Sequence, residues 1–198
     1  MGERSVFATI SINDNGEKVL DYVTVQWASY TPRTLAYGLN RLDDEGRNAL
    51  VGVFVKGCQQ FDHIDCIDRY VVNGRYWQYA NIADGLSVKV GEKDGQDVIV
   101  GVDGGVSDNP LPQCRKVSGL GAAKEFIAGH GHNQDGVSAL YDSEMQVFHF
   151  ISNDFYHLYK ATDSEDGKVI MSIPKGEWVS YSVEELARLG ENFNLAGD

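Results

Sequence analysis

Arg69-Tyr70-Val71-Val72-Asn73-Gly74-Arg75-Tyr76-Trp77-Gln78-Tyr79 is the stretch on which the fold class turns. Val, Tyr and Trp suit the pleated, half-buried surface of a strand. Asn-Gly between two such runs favours a type I′ turn, because both central positions need positive φ and the turn's twist matches the flanking strands. A β-hairpin is therefore expected here, with an antiparallel sheet around it.

The same pattern recurs outward from this stretch. Leu86–Val90 and Val98–Val102 flank Asp94-Gly95 and predict a second hairpin. Toward the N-terminus, Ser5–Ile12 alternates Val6, Ala8, Ile10 and Ile12 with Phe7, Thr9 and Ser11. Asn13-Asp14-Asn15-Gly16 then reads as a turn, and Val19–Trp27 as the returning strand. Toward the C-terminus, strands are expected at Val137–Tyr141, Met145–Ile151, Phe155–Ala161 and Lys168–Ile173, with Pro174 ending the last. Thr31-Pro32 reads as a helix start, with Leu35, Leu39 and Leu42 at helical spacing, and the helix is placed at about 32–48 with Asp43-Asp44 as a candidate break. Leu50–Lys56 is a short apolar run and reads as a buried strand. Gly104–Lys116 and Gly129–Gly136 read as loops, and Ser118 as the cap of a short helix, Gly119–Ala128. Ser182-Val183-Glu184-Glu185 is a capping box that opens a last helix through about Leu189.

Strands and helices do not alternate, so there is no case for a doubly wound sheet. The expected fold is a single acidic α+β domain over residues 1–198. Its sheet is mainly antiparallel and built from hairpins, with about three short helices packed on it.

Charge narrows the function classes. The chain of 198 residues holds 29 acidic and 17 basic side chains, a net −12. The acidity is spread along the sequence, and Arg115-Lys116 is the densest basic pair. Direct nucleic-acid binding rests on clustered Lys and Arg that displace counterions, so it is not expected here. No apolar run approaches the ~20 residues of a membrane span, and the first residues lack a signal-peptide core. Three cysteines, Cys58, Cys66 and Cys114, form no disulfide framework; a reducing cytoplasm is the expected location.

Three groups of residues could carry chemistry. Cys58, His63, Cys66 and Cys114 could supply a tetrahedral zinc site, but the paired-cysteine spacing of such sites is missing, so buried thiols and no metal are expected. His130, His132 and Asp135 sit in one glycine-flanked loop and could serve a metal- or His-dependent hydrolase or phosphodiesterase. An open metal site needs three protein ligands, however, and glycine loosens the loop. No Gly-x-Ser-x-Gly elbow and no phosphate-binding Gly-x-x-x-x-Gly-Lys loop occurs, and no cofactor is expected. The third group is a binding surface: Tyr70, Trp77 and Tyr79 as aromatic anchors, with the carboxylates Asp163, Glu165, Asp166, Glu184 and Glu185 of the most acidic quarter.

The function expected from this balance is a non-enzymatic binding or inhibitor protein that neutralises a basic protein partner, such as a nuclease or a nucleic-acid-binding protein. An immunity-type inhibitor and a phage-type anti-defence protein that imitates nucleic acid both fit. The His130 loop hydrolase and a structural or virion component are the alternatives.

Overall fold

The computed structural model describes residues 4–26, 29, 31–59, 70–73, 76–79, 86–93, 96–101, 113–161 and 166–193. In chain order the elements are β1 (Arg4–Ile12), β2 (Lys18–Gln26), α1 (Thr31–Asn40), α2 (Asp44–Gln59), β3 (Tyr70–Asn73), β4 (Tyr76–Tyr79), β5 (Leu86–Lys93) and β6 (Gln96–Gly101). They continue with β7 (Gln113–Lys116), α3 (Leu120–Ala128), β8 (Ser138–Asp142), β9 (Val147–Ile151), β10 (His157–Lys160), β11 (Val169–Ile173), β12 (Val179–Ser182) and α4 (Val183–Leu189). The fold is mixed α+β, with a large, mostly antiparallel sheet and four helices among the described residues.

That sheet has six strands in the order β12-β9-β8-β1-β2-β7. β1 and β2 pair antiparallel around a turn in which Asn13 Oδ1 accepts the N–H groups of Asn15 and Glu17. Gly16 closes this turn at φ +75°, a conformation that side chains resist. β1 and β8 are parallel; the other neighbours are antiparallel. β3 to β6 form a four-stranded antiparallel sheet, with Asn73 opposite Tyr76. The Gly74-Arg75 and Asp94-Gly95 turns lie outside the described residues.

The inner strands of the six-stranded sheet are covered on both faces, and strand alternation sorts their side chains between them. Val6, Ala8, Ile10, Leu20, Leu140 and Ile151 pack with Ala123 and Ile127 of α3. Phe7, Ala139, Tyr141, Phe148 and Phe150 face the other way, into a core built with α1, α2, α4 and the paired strands β10 and β11. Phe54 of α2 sits at the middle of that core, stacked on Phe7 at 5.1 Å and edge-on to Phe148 at 5.4 Å. At its far end Gly190 lets the chain cross α1: a Cβ there would stand 1.9 Å from the Ala36 carbonyl oxygen.

Several expectations are corrected. The helical stretch does break near Asp43-Asp44, into α1 and α2, but α2 runs on to Gln59, so Leu50–Lys56 belongs to it rather than to a strand. Asp43 ends the ambiguity locally: its Oδ1 accepts the Gly46 N–H at 2.8 Å and starts α2. Leu50 and Phe54 then fall one turn apart on the core face, a placement that a short apolar run cannot distinguish from a strand. Ser118 does not cap α3; Gly119 stands at that position, with no side-chain cap. β7 lies within the expected loop, and β12 was not anticipated. The capping box is present, with Ser182 Oγ accepting from Glu185 N and Glu185 Oε2 accepting from Ser182 N.

Candidate binding groove

The β8–β9 turn is the starting point. Asp142, almost fully buried, turns its Oδ1 to the N–H groups of Glu144 and Met145 at 3.0 and 3.1 Å. This holds a tight turn in which Gln146 takes φ 54°. Met145 is thereby pushed outward and is 69% exposed. The turn lies against the starts of α2 and α4, and the three segments enclose a cleft of about 390 Å³.

Carboxylates from distant parts of the chain stand on this cleft. Asp44 comes from the first turn of α2, with its side chain 98% exposed, and Glu184 from the first turn of α4. Each also offsets the partial positive charge of a helix start, which is its local reason for being there. Arg47, the cation of the lining, divides its guanidinium: its Nε donates to the Leu39 carbonyl at 2.8 Å, and its Nη1 stands 3.9 Å from Asp44 Oδ1, a long ion pair one helical turn away that leaves the Asp44 carboxylate open to solvent. Glu185 is used by the capping box, whose backbone and hydroxyl donors hold its carboxyl below the usual range. Asn48, Gln146 and Ser182 add polar groups to the lining.

Of the described carboxylates expected at a binding surface (Asp166, Glu184 and Glu185), Glu184 lines the cleft. Asp166 is exposed before β11, while Asp163 and Glu165 lie outside the described residues. Tyr70 is in β3, and Trp77 and Tyr79 are in β4; their side chains lie outside the description. Asp44, Met145 and Gln146 were missed by sequence reasoning. Glu184 is 140 positions from Asp44 (184 − 44), so no local pattern links them.

The histidine loop is held by contacts of its own. His130 Nδ1 accepts the His132 N–H at 3.1 Å, and the His130 ring lies edge-on to Tyr22 and Phe126. Burial, then the neighbouring His132, hold the His130 imidazole below its usual pKa. Asp135 is engaged elsewhere: its Oδ1 accepts the Arg4 N–H at 2.8 Å, tying the loop to the start of β1. Among the described residues, no three His, Cys, Asp or Glu side chains are grouped to hold a metal. Of the thiol candidates, Cys58 is near the end of α2, with its side chain outside the description, and His63 and Cys66 lie outside it altogether. Cys114 is exposed on β7; burial of its sulfur, then Asp21, which accepts from the thiol, push it up to about 11. No described helix is long and apolar enough to cross a membrane.

A second polar group lies on the α3 side of the sheet. His149 of β9 is only 6% exposed. Its Nδ1 pairs with Ser180 Oγ at 2.6 Å, while its Nε2 is buried without a hydrogen-bond partner. Burial, then the charge of Lys124, push its pKa down to about 4, against the opposing pull of Asp142. The imidazole is therefore neutral at pH 7. Its unpartnered nitrogen makes it a stability liability in acid.

Compared with protein-family models, with curated proteins and with solved structures, the chain matches none.

Proposed function

We propose that this chain is a non-enzymatic acidic binding protein that neutralises a basic protein partner, either an immunity-type inhibitor or an anti-defence protein that imitates nucleic acid. The observation that carries this proposal is the cleft between α2, the β8–β9 turn and α4. Asp44 and Glu184 supply the negative charge on it, and Met145 supplies an exposed apolar side chain. Carboxylates attract and orient a cationic partner, and a flexible thioether adapts to the aliphatic stem of its Lys or Arg. The net charge of −12 extends that attraction beyond the groove. The partner class is a basic nuclease or nucleic-acid-binding protein, whose own anion-binding surface the carboxylates would occupy. The same proposal takes residues 1–198 as one domain, the sheet as assembled from hairpins, and a reducing cytoplasm as the compartment.

The experiment is capture from lysate at low and at high ionic strength, with the wild type and with Asp44→Lys/Glu184→Lys as baits. A basic protein retained by the wild type at low salt, and lost by the double variant, supports the proposal. Partners that are neutral or acidic, or that bind both baits alike, would contradict it.

A further inference from the structure

β12 ends the six-stranded sheet, and its sequence does nothing to blunt that edge. At the opposite edge β7 carries Arg115 and Lys116, the kind of charged side chain that discourages pairing with another chain. β12 reads Val179-Ser180-Tyr181-Ser182, with no charge, no proline and no shift in its register with β9.

The register also fixes which backbone groups face outward. Val183 N–H donates to the Gln146 carbonyl, and the ladder continues through Ser182 opposite Val147, Tyr181 opposite Phe148 and Ser180 opposite His149. Antiparallel pairs alternate between those that exchange hydrogen bonds and those that do not. Val179 and Tyr181 therefore bond to β9, while Ser180 and Ser182 turn their N–H and C=O away from it. Ser182 is already engaged: its N–H donates to Glu185 Oε2 at 2.8 Å, and its carbonyl opens α4 as the N-cap. Ser180 is exposed, and no backbone partner takes its N–H or C=O among the described residues. Its hydroxyl, held by His149, fixes the strand at that point.

We infer that an extended segment of the partner adds to the sheet at Ser180. Its backbone exchanges two hydrogen bonds with the Ser180 N–H and C=O, and a Lys or Arg farther along reaches Glu184 and Asp44. This rests on the proposal above that the partner is basic. Strand addition takes affinity from main-chain bonds and specificity from side-chain sites along the edge. Two residues of extended chain cover ~7 Å, enough to carry a side chain from Ser180 past Ser182 to the groove that Ser182 and Glu184 line. A second copy of the chain is the poorer occupant, because it would set two molecules of net charge −12 edge to edge.

The test uses two synthetic peptides of equal charge, each titrated at low salt into nitrogen-15-labelled protein. One is the strand-forming Lys-Val-Lys-Val-Lys-Val, the other a helix-forming lysine–alanine peptide. With the strand-forming peptide, the Ser180 amide should move downfield and its hydrogen exchange should slow by about tenfold or more, as for an amide taken into a ladder. Glu184 should shift with it, and the helical peptide should move Glu184 alone. If the strand-forming peptide shifts Glu184 and leaves Ser180 unchanged, strand addition is overturned while the basic-partner proposal stands. If neither peptide shifts either residue, both fail. A Ser180 amide that responds to protein concentration instead of peptide makes the occupant a second copy, and also overturns the inference.

Discussion

Acidification should destabilise this protein through one residue more than any other described, and the size of the effect follows from its surroundings. His149 is 6% exposed, its Nε2 has no partner, and its pKa in the folded chain is about 4 against an ordinary 6.5. The unfolded chain therefore binds a proton at His149 between these two values and the folded chain does not. Stability must fall as pH drops through that window. A gap of about 2.5 units at 1.36 kcal/mol each sets a limit near 3 kcal/mol, nearly all of it reached by pH 4. General acid unfolding is superimposed, so the informative quantity is the difference between wild type and His149→Gln, which cannot titrate. Urea unfolding of both at pH 7, 6, 5 and 4 should show the wild type losing about 3 kcal/mol relative to the variant. Parallel stability curves for the two proteins would refute the assignment of His149 as a buried neutral imidazole.

Other substitutions probe the frame that holds the groove. Gly190→Ala should lower stability by about 1–3 kcal/mol, because its Cβ would stand 1.9 Å from the Ala36 carbonyl and α1 would have to move; an unchanged Tm would contradict that close approach. Ser182→Ala should cost about 1 kcal/mol by removing the cap beside the groove, read from the urea midpoint at constant m. Phe54→Ala should cost about 3–5 kcal/mol through the space left between Phe7 and Phe148, and a loss under 1 kcal/mol would place Phe54 outside the core.

The parts of the fold legible in the sequence are those whose signal is local. The alternation of Val6, Ala8 and Ile10 against Phe7 marks β1, and Ser182 with Glu185 marks the start of α4, because the residues that make each feature are a few positions apart. Leu50–Lys56 misleads because a short apolar run fits a buried strand as well as a helix; the Asp43 cap and packing on Phe7 decide it. β7 and β12 escape notice because they are four-residue edge strands formed by pairing with distant partners, and neither has a marked apolar alternation. The groove was half legible. Glu184 stood out in an acidic quarter, but Asp44 joins it only through the tertiary fold. His149 falls within an expected strand, yet both faces of β9 are covered, so alternation does not tell whether its ring meets Lys124 and Asp142 or solvent.

The central claim is that carboxylates on the α2–α4 groove draw in a basic partner. Its most direct test is the association rate of the captured partner, by stopped flow from low to physiological salt, with the wild type and with Asp44→Lys/Glu184→Lys. Attraction between opposite fields is screened over about 8–10 Å at physiological ionic strength. The wild-type rate should therefore fall steeply with salt. The double variant should associate about tenfold or more slowly at low salt, with a flatter salt dependence and a smaller change in dissociation. Association rates that are independent of salt and equal in the two proteins would contradict the claim.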